Sequence, residues 1–304
     1  MGVCKHIKFY EHFRRTVCAH KTLYVYTLLI IRTFVYTEIK KYFNNIKLPS
    51  GDSHKGQNGK LLIIGGSELF HAASKWSLDV ASRFVDMVFY SSVPDNNDLI
   101  KEAKGGFWNG IVIPRGETEN YIEESDCILI GPGMARDQET KKFVDDLIKK
   151  YPDKKWVIDA GALQVVDPEL INKNHILTPH KGEMIKLEGE FENAGLDINE
   201  LEATILLKGK IDIVSFADGN SGKHSRQAIE IEGGNAGMTK GGSGDSLAGL
   251  VAALYCTHDQ VTSAVVGSYI NKKAGDELYK SVGPYFNTSD LVKMIPKVFW
   301  EIYS

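Results

Sequence analysis

From residue 48 to the end of the chain, short apolar runs alternate with stretches in which apolar residues recur every three or four positions, so strands and helices are expected to alternate. Lys60–Ile64 is an apolar run that stops at Gly65-Gly66-Ser67, a strand meeting a turn. Over residues 71–84, Ala73, Trp76, Val80 and Phe84 fall at helical spacing. Residues 85–90, 110–113, 126–130, Lys155–Ile158 and His175–Leu177 read as further strands, with an amphipathic helix at Gln138–Lys150 and a shorter helical segment after Gly161. Several of these runs are apolar throughout, which suits central parallel strands covered by helices on both faces.

After residue 200 the rhythm changes. Residues 203–207, 211–216 and 227–231 follow in succession, separated by Gly209 and by Asp218-Gly219-Asn220, which predicts hairpin-connected antiparallel strands at one edge. A helical tail follows at 244–255, 260–280 and 288–302, the last broken or kinked at Pro296. No repeat or low-complexity linker interrupts the pattern, so one α/β domain over residues 48–304 is expected.

Charge sets the first 47 residues apart. They hold nine Lys or Arg against two acidic residues, a net of +7, which leaves −10 for the remainder of a chain whose total is −3. An acidic body argues against a nucleic-acid surface. The apolar run at 22–36 contains Arg32 and falls short of the roughly 20 residues a membrane span needs. The Cys4-x-His6 and Cys18-x-His20 pairs lack the spacing of common zinc sites. Residues 1–47 are therefore read as a basic extension of uncertain structure, with no membrane anchor expected. The four cysteines, Cys4, Cys18, Cys127 and Cys256, are widely scattered, which fits a reducing cytoplasm.

The strongest chemical signal is the segment Gly237-Met238-Thr239-Lys240-Gly241-Gly242-Ser243-Gly244-Asp245, followed by an apolar helical run. Dense glycines let the backbone approach an anion, and a helix N-terminus offers unpaired N–H groups to phosphate. Asp245 in the first turn is placed to act as a general base towards a hydroxyl attacking phosphorus. Taken alone, such a segment is as readily a turn with an acidic helix cap. Three more segments close predicted strands, where open α/β sheets collect ligands: Gly131-Pro132-Gly133, Asp159-Ala160-Gly161, and Thr178-Pro179-His180-Lys181-Gly182-Glu183.

Together with His54-Lys55-Gly56-x-x-Gly59 and Lys208-Gly209, this ordered set resembles the nucleotide-dependent NAD(P)HX dehydratases over roughly residues 50–290. The resemblance implies a ribokinase-like three-layer αβα sandwich with a mostly parallel sheet and an antiparallel edge. It also implies repair of the hydrates NADHX and NADPHX to NADH and NADPH, with ADP or ATP as co-substrate and Mg²⁺ on its phosphates. Carried over by motif, Asp245 is the base and also contacts the hydrate, with Ala73, Gly133 and His180 lining its pocket. Lys208, Gly209, Lys210, Ile211 and Asp212, with Gly242, Ser243 and Gly244, would hold the nucleotide. No sequence motif identifies ligands for the metal. A homo-oligomer, tetrameric by resemblance, is also implied.

The epimerase domain often fused at the N-terminus in this family has no room in 47 residues. Two positions depart from the family pattern: Ala72 stands where a Gly is usual, and Ser243 where a Thr is usual. A small-molecule kinase of the same superfamily would share the Gly-rich anion site and Asp245. The His54-Lys55-Gly56 and Thr178-Pro179-His180 segments favour the dehydratase. A catalytically silent binding protein would need neither Asp245 nor the loop.

Overall fold

The computed structural model describes residues 39–103, 105–107, 109–217 and 226–304. The chain divides into two units, Met1–Asn44 and Asn45–Ser304. Of the first, residues 39–44 are described; they form a helical turn in which Asn44 N donates to Lys40 O at 3.2 Å. The Cys-x-His pairs and the 22–36 run lie outside the described residues. Among the described residues no helix is long and apolar enough to cross a membrane.

In the second unit the alternation expected from the sequence is present. In chain order the elements are β1 (Lys60–Ile64), α1 (Ala72–Ala81), β2 (Met87–Ser91), α2 (Pro94–Ala103), β3 (Ile111–Ile113), α3 (Thr118–Glu124) and β4 (Cys127–Ile130). Then come α4 (Gln138–Lys150), β5 (Lys155–Ile158), α5 (Ala160–Leu163), β6 (His175–Leu177), α6 (Lys181–Asn193) and β7 (Thr204–Leu207). The chain closes with β8 (Asp212–Ala217), β9 (Arg226–Ile231), α7 (Ser243–Thr257), α8 (Gln260–Val282) and α9 (Thr288–Tyr303).

The strands form one nine-stranded sheet in the order β3-β2-β1-β4-β5-β6-β7-β8-β9. Pairing is parallel from β3 through β7 and antiparallel for β7–β8 and β8–β9. The central strands are buried along almost their whole length, which explains why they read as continuous apolar runs. On one face Ile122, Val144, Leu147, Leu163, Leu187 and Phe191, from α3 to α6, pack with Trp156 and its neighbours into a single core. The other face carries α1, α7, α8 and α9, with α7 lying over β1, β4 and β5. This is the three-layer αβα layout with an antiparallel edge.

Three helices depart from the sequence expectation, because α2, α3 and α6 were not anticipated. In α6 Met184, Leu187 and Phe191 face the core at helical spacing, a short signal diluted by the exposed Ile185 and the charged residues between them. The last helix also differs. It continues through Pro296 without a break, held by Leu291, Val292, Ile295, Val298 and Phe299, which are buried on both sides of the proline. One lost backbone hydrogen bond is outweighed there by the apolar face.

Candidate active site

Strands β4, β5, β6 and β7 lie side by side, so their C-terminal ends present four of the predicted motifs on one edge. Gly131 to Gly133 follow β4, Asp159 follows β5, Thr178 to His180 follow β6, and Lys208 follows β7. Asp159 is 1% exposed, and its Oδ1 accepts from Thr178 Oγ1 at 2.7 Å and from Lys208 Nζ at 2.7 Å. The next residue, Ala160, has φ 44°, a left-handed conformation that costs a non-glycine residue about 1–2 kcal/mol. That bend turns the chain from β5 into α5 directly after the Asp159 carboxylate.

Lys208 reaches across to the first turn of α7, where a Cβ added at Gly244 would stand 3.5 Å from its Nζ. The helix start is shaped by Gly242, whose φ of 98° suits only glycine and whose missing side chain makes room for Trp76, 2.2 Å from an added Cβ. No side chain caps α7, which leaves its N-terminus available to an anion. Ser243 Oγ donates to Met238 O at 2.7 Å, so the hydroxyl that stands for the usual threonine folds the Gly-rich loop back on itself. Ser77 Oγ donates to Asp245 O at 2.8 Å and ties α1 to the same turn.

Asp245 therefore sits half-buried beside an ammonium and two further acids. Burial pushes its carboxyl up to about 7, and the Asp159 charge adds to this while Lys208 opposes it. For Lys208, burial works against the charged form, but the carboxylates of Asp159, Glu183 and Asp245 hold its pKa above the ordinary lysine value. A cation that stays charged and an acid poised near neutrality are thus placed together at a helix N-terminus. That combination can bind phosphate and accept a proton.

His180 is the N-cap of α6. Its Nδ1 accepts from Gly182 N at 3.0 Å and Glu183 N at 3.2 Å, and Glu183 Oε2 accepts from His180 N at 2.9 Å, completing a capping box. The ring is nevertheless 60% exposed, with Nε2 3.6 Å from Glu183 Oε1. Because Nδ1 is an acceptor, the neutral ring carries its proton on Nε2, leaving one donor for a ligand. Capping and ligand contact are both open to this residue.

The residues expected to hold the nucleotide border a cleft. An open cleft of about 520 Å³ lies beside Lys208 and Gly244, walled in part by Gly209, Asp212, Asn235, Met238, Asn271 and Lys272. Asp212 is buried and fully engaged: Oδ1 accepts from Gly209 N at 2.8 Å and faces Lys272 Nζ at 3.2 Å, while Oδ2 accepts from Ser268 Oγ at 2.7 Å. It shapes the wall of the cavity. Ile211 and Gly242 are not among the lining residues.

Lys272 was not singled out from the sequence. Its Nζ also donates to Gly209 O at 3.0 Å, Lys210 O at 3.1 Å and Gly233 O at 3.3 Å, clasping two loops together. The available signal was the polar pair Asn271-Lys272 on a helix otherwise buried around it.

Ala73 and Gly133 come together, with a Cβ added at Gly133 only 3.1 Å from Ala73 Cβ and 2.8 Å from Phe70 O. Gly133 has φ 73°, so a side chain there meets both strain and a clash. Ala72 is exposed, so its extra methyl crowds nothing. The His54-Lys55-Gly56 segment precedes β1 at the opposite sheet edge, where Asp86 accepts from Gly56 N at 2.8 Å and Asn58 N at 3.1 Å. The structure gives it a turn, apart from the other motifs.

Among the described residues no group of three His, Cys, Asp or Glu side chains could hold a metal ion. The carboxylates of Asp159 and Asp245, which act on Lys208 there, would be the protein groups facing a Mg²⁺ ion carried in by a nucleotide.

A family model described as NAD(P)H-hydrate dehydratase matches residues 61–297. A bifunctional NAD(P)H-hydrate repair enzyme of Methanocaldococcus jannaschii is 38% identical over 257 residues, covering 81% of this chain and 49% of that protein. The chain thus spans about half the length of such bifunctional relatives. An ADP-dependent (S)-NAD(P)H-hydrate dehydratase of Nitrosopumilus maritimus is 32% identical over 291 residues, covering 88% of this chain and 96% of that one. The solved structure of an ADP/ATP-dependent NAD(P)H-hydrate dehydratase from Bacillus subtilis, co-crystallised with ATP and Mg²⁺, superposes with a TM-score of 0.70 at 23% identity, covering 88% of this chain and 97% of that one. That likeness bears on the fold, which is ribokinase-like.

Proposed function

The chain belongs to the NAD(P)H-hydrate dehydratase family, and from that premise we propose that it returns NADHX and NADPHX to NADH and NADPH at the expense of a nucleotide's terminal phosphate. The observation that carries this reading is Asp245, held near pH 7 at an uncapped helix N-terminus, with Lys208 beside it and the 520 Å³ cavity adjoining.

In this reading the nucleotide lies in the cavity with its terminal phosphates towards Lys208 and the first turn of α7. Asp245 takes the proton of the hydrate's ring hydroxyl as that oxygen attacks phosphorus, and AMP or ADP leaves. The ring nitrogen's electron pair then expels the phosphate, and loss of a proton from the neighbouring ring carbon restores the dihydropyridine. Mg²⁺, when bound, supplies neutralisation of charge on the nucleotide phosphates. Gly133 and Ala73 let the substrate lie close to the backbone, and His180 Nε2–H donates to one of its polar groups. A cytoplasmic homo-oligomer belongs to the same reading, and its subunit number is read by light scattering.

The test is direct. The purified chain is incubated with NADHX and either ADP or ATP while the return of NADH absorbance is followed. Dehydration with one or both nucleotides is expected. A phosphorylated small-molecule product with no NADH formed would point to kinase chemistry in its place.

A further inference from the structure

Arg115 follows β3, at the C-terminal edge of the sheet, on the side away from the nucleotide cavity. Its guanidinium lies 4.2 Å from the centroid of the Phe143 ring, and its Nη1 is buried with no hydrogen-bond partner. Burial lowers its pKa to about 10, while the charges of Tyr90 and Glu139 oppose the shift without an ion pair to either. A part-buried cation without a paired anion is costly unless something brings the anion. Stacked on an aromatic face with an unused fork of donors, Arg115 has the arrangement by which arginine recognises phosphate.

Arg115 is also connected to the hydrate side of the site. Its charge is felt by Tyr90, whose hydroxyl is 2.7 Å from Ser74 Oγ, and Ser74 adjoins Ala73, which meets Gly133. From β4, where Gly133 stands, to β3 is three strand spacings, about 14 Å. A dinucleotide whose nicotinamide end lies at Asp245 and Gly133 extends along that edge.

We propose that Arg115 anchors a phosphate group of the dinucleotide substrate. This rests on the function proposed above. The phosphate is either the bridging diphosphate, present in NADHX and NADPHX alike, or the 2′-phosphate carried by NADPHX alone.

The variants are Arg115→Met and Arg115→Lys. Steady-state rates are measured with each hydrate at saturating nucleotide, and binding of NADH and NADPH to the same proteins is titrated separately. R115M is expected to raise KM for the hydrate roughly tenfold or more, the scale of one lost charge-assisted hydrogen bond. The kcat and the KM for nucleotide should stay within about twofold of wild type, and R115K should recover part of the loss. A rise for both hydrates assigns the bridging diphosphate; a rise for NADPHX alone assigns the 2′-phosphate. Unchanged hydrate KM in both variants overturns the proposal. So does a lowered Tm with hydrate KM, nucleotide KM and kcat all shifted together, the sign of a purely structural Arg115–Phe143 stack. If wild type dehydrates neither hydrate, the functional reading fails, and the dinucleotide titrations still decide whether Arg115 binds phosphate.

Discussion

A carboxyl group that burial holds near pH 7 is mostly protonated at pH 6 and mostly ionised at pH 8, so the base role proposed for Asp245 would couple turnover to pH. A base must be ionised, and kcat/KM for the hydrate is expected to rise with pH and level off above about 7. Asp245→Asn should lower turnover by about 10²-fold or more. The same change should stabilise the fold at pH 8. The folded-state pKa lies above the unfolded one, so each pH step between about 4 and 7 favours the unfolded chain, and the variant escapes that penalty. Allowing for solvent screening of a half-buried group, the gain is on the order of 1–2 kcal/mol. Near-normal turnover with no gain in Tm would sink both halves of the assignment.

His180 needs two variants, because its ring caps α6 as well as facing solvent. His180→Ala loses both roles, with about 1 kcal/mol of stability and weaker hydrate binding. His180→Asn keeps a capping acceptor and should restore Tm without restoring hydrate affinity. Equal recovery of both quantities in His180→Asn would reduce the residue to a cap.

Among the elements, α5 begins on the one strained non-glycine residue among those described, Ala160. Ala160→Gly should relieve that conformation and raise the denaturation midpoint, by about 1 kcal/mol. A fall in the midpoint would show that the methyl group contributes more through packing than the backbone loses.

How far the elements were legible follows from the same local physics. Lys155–Ile158, His175–Leu177 and Gln138–Lys150 match the sequence expectation at both ends, because buried parallel strands and a strongly two-sided helix leave continuous or periodic signals. The helix α6 begins at a histidine cap, and its short apolar stripe of Met184, Leu187 and Phe191 is diluted by the exposed Ile185 and the charges around it. Within the site, the motifs at strand ends were readable because each strand contributes a short contiguous segment. Lys272 was not, because its role exists only where α8 crosses the loops around Gly209 and Gly233. Asp212 was read as a nucleotide contact by position, and the structure places it in the cleft wall with its side-chain oxygens turned to Gly209, Ser268 and Lys272.

At the scale of the whole molecule, acid stability is governed in part by His175, which is fully buried on β6. Its Nδ1 accepts from Asn172 N at 3.2 Å, its Nε2 has no partner, and burial lowers its pKa to about 4. The folded form therefore resists a proton that the unfolded chain accepts at about 6.5. Stability from this residue is complete above pH 6.5 and is lost as pH falls towards 4, on the order of 2–3 kcal/mol in all. His175→Leu should flatten the Tm slope in that window. Asp245 acts in the opposite direction over a similar range, so Asp245→Asn should steepen it.

The boundary of the catalytic unit can be tested as well. Asn45 Nδ2 donates to Thr262 Oγ1 at 3.3 Å and Lys47 N donates to His258 Nε2 at 3.0 Å. A chain starting at Asn45 should keep full activity and Tm, and one starting at Leu48 should melt lower. Loss of activity in the longer of the two truncated chains would make the basic extension part of the enzyme.

The single ammonium of Lys208 answers three carboxylates, those of Asp159, Glu183 and Asp245, before any ligand arrives. Bound as proposed, a nucleotide polyphosphate would bring further negative charge to the same place, and the group best able to yield is the one already poised near neutrality. Association in that reading is a proton-linked event. Titrated with ADP at pH 7 without divalent ion, the protein should take up a fraction of a proton, seen as a binding heat that varies with the ionisation enthalpy of the buffer. In Asp245→Asn that buffer dependence should vanish, and the affinity for metal-free ADP should lose its decline with rising pH.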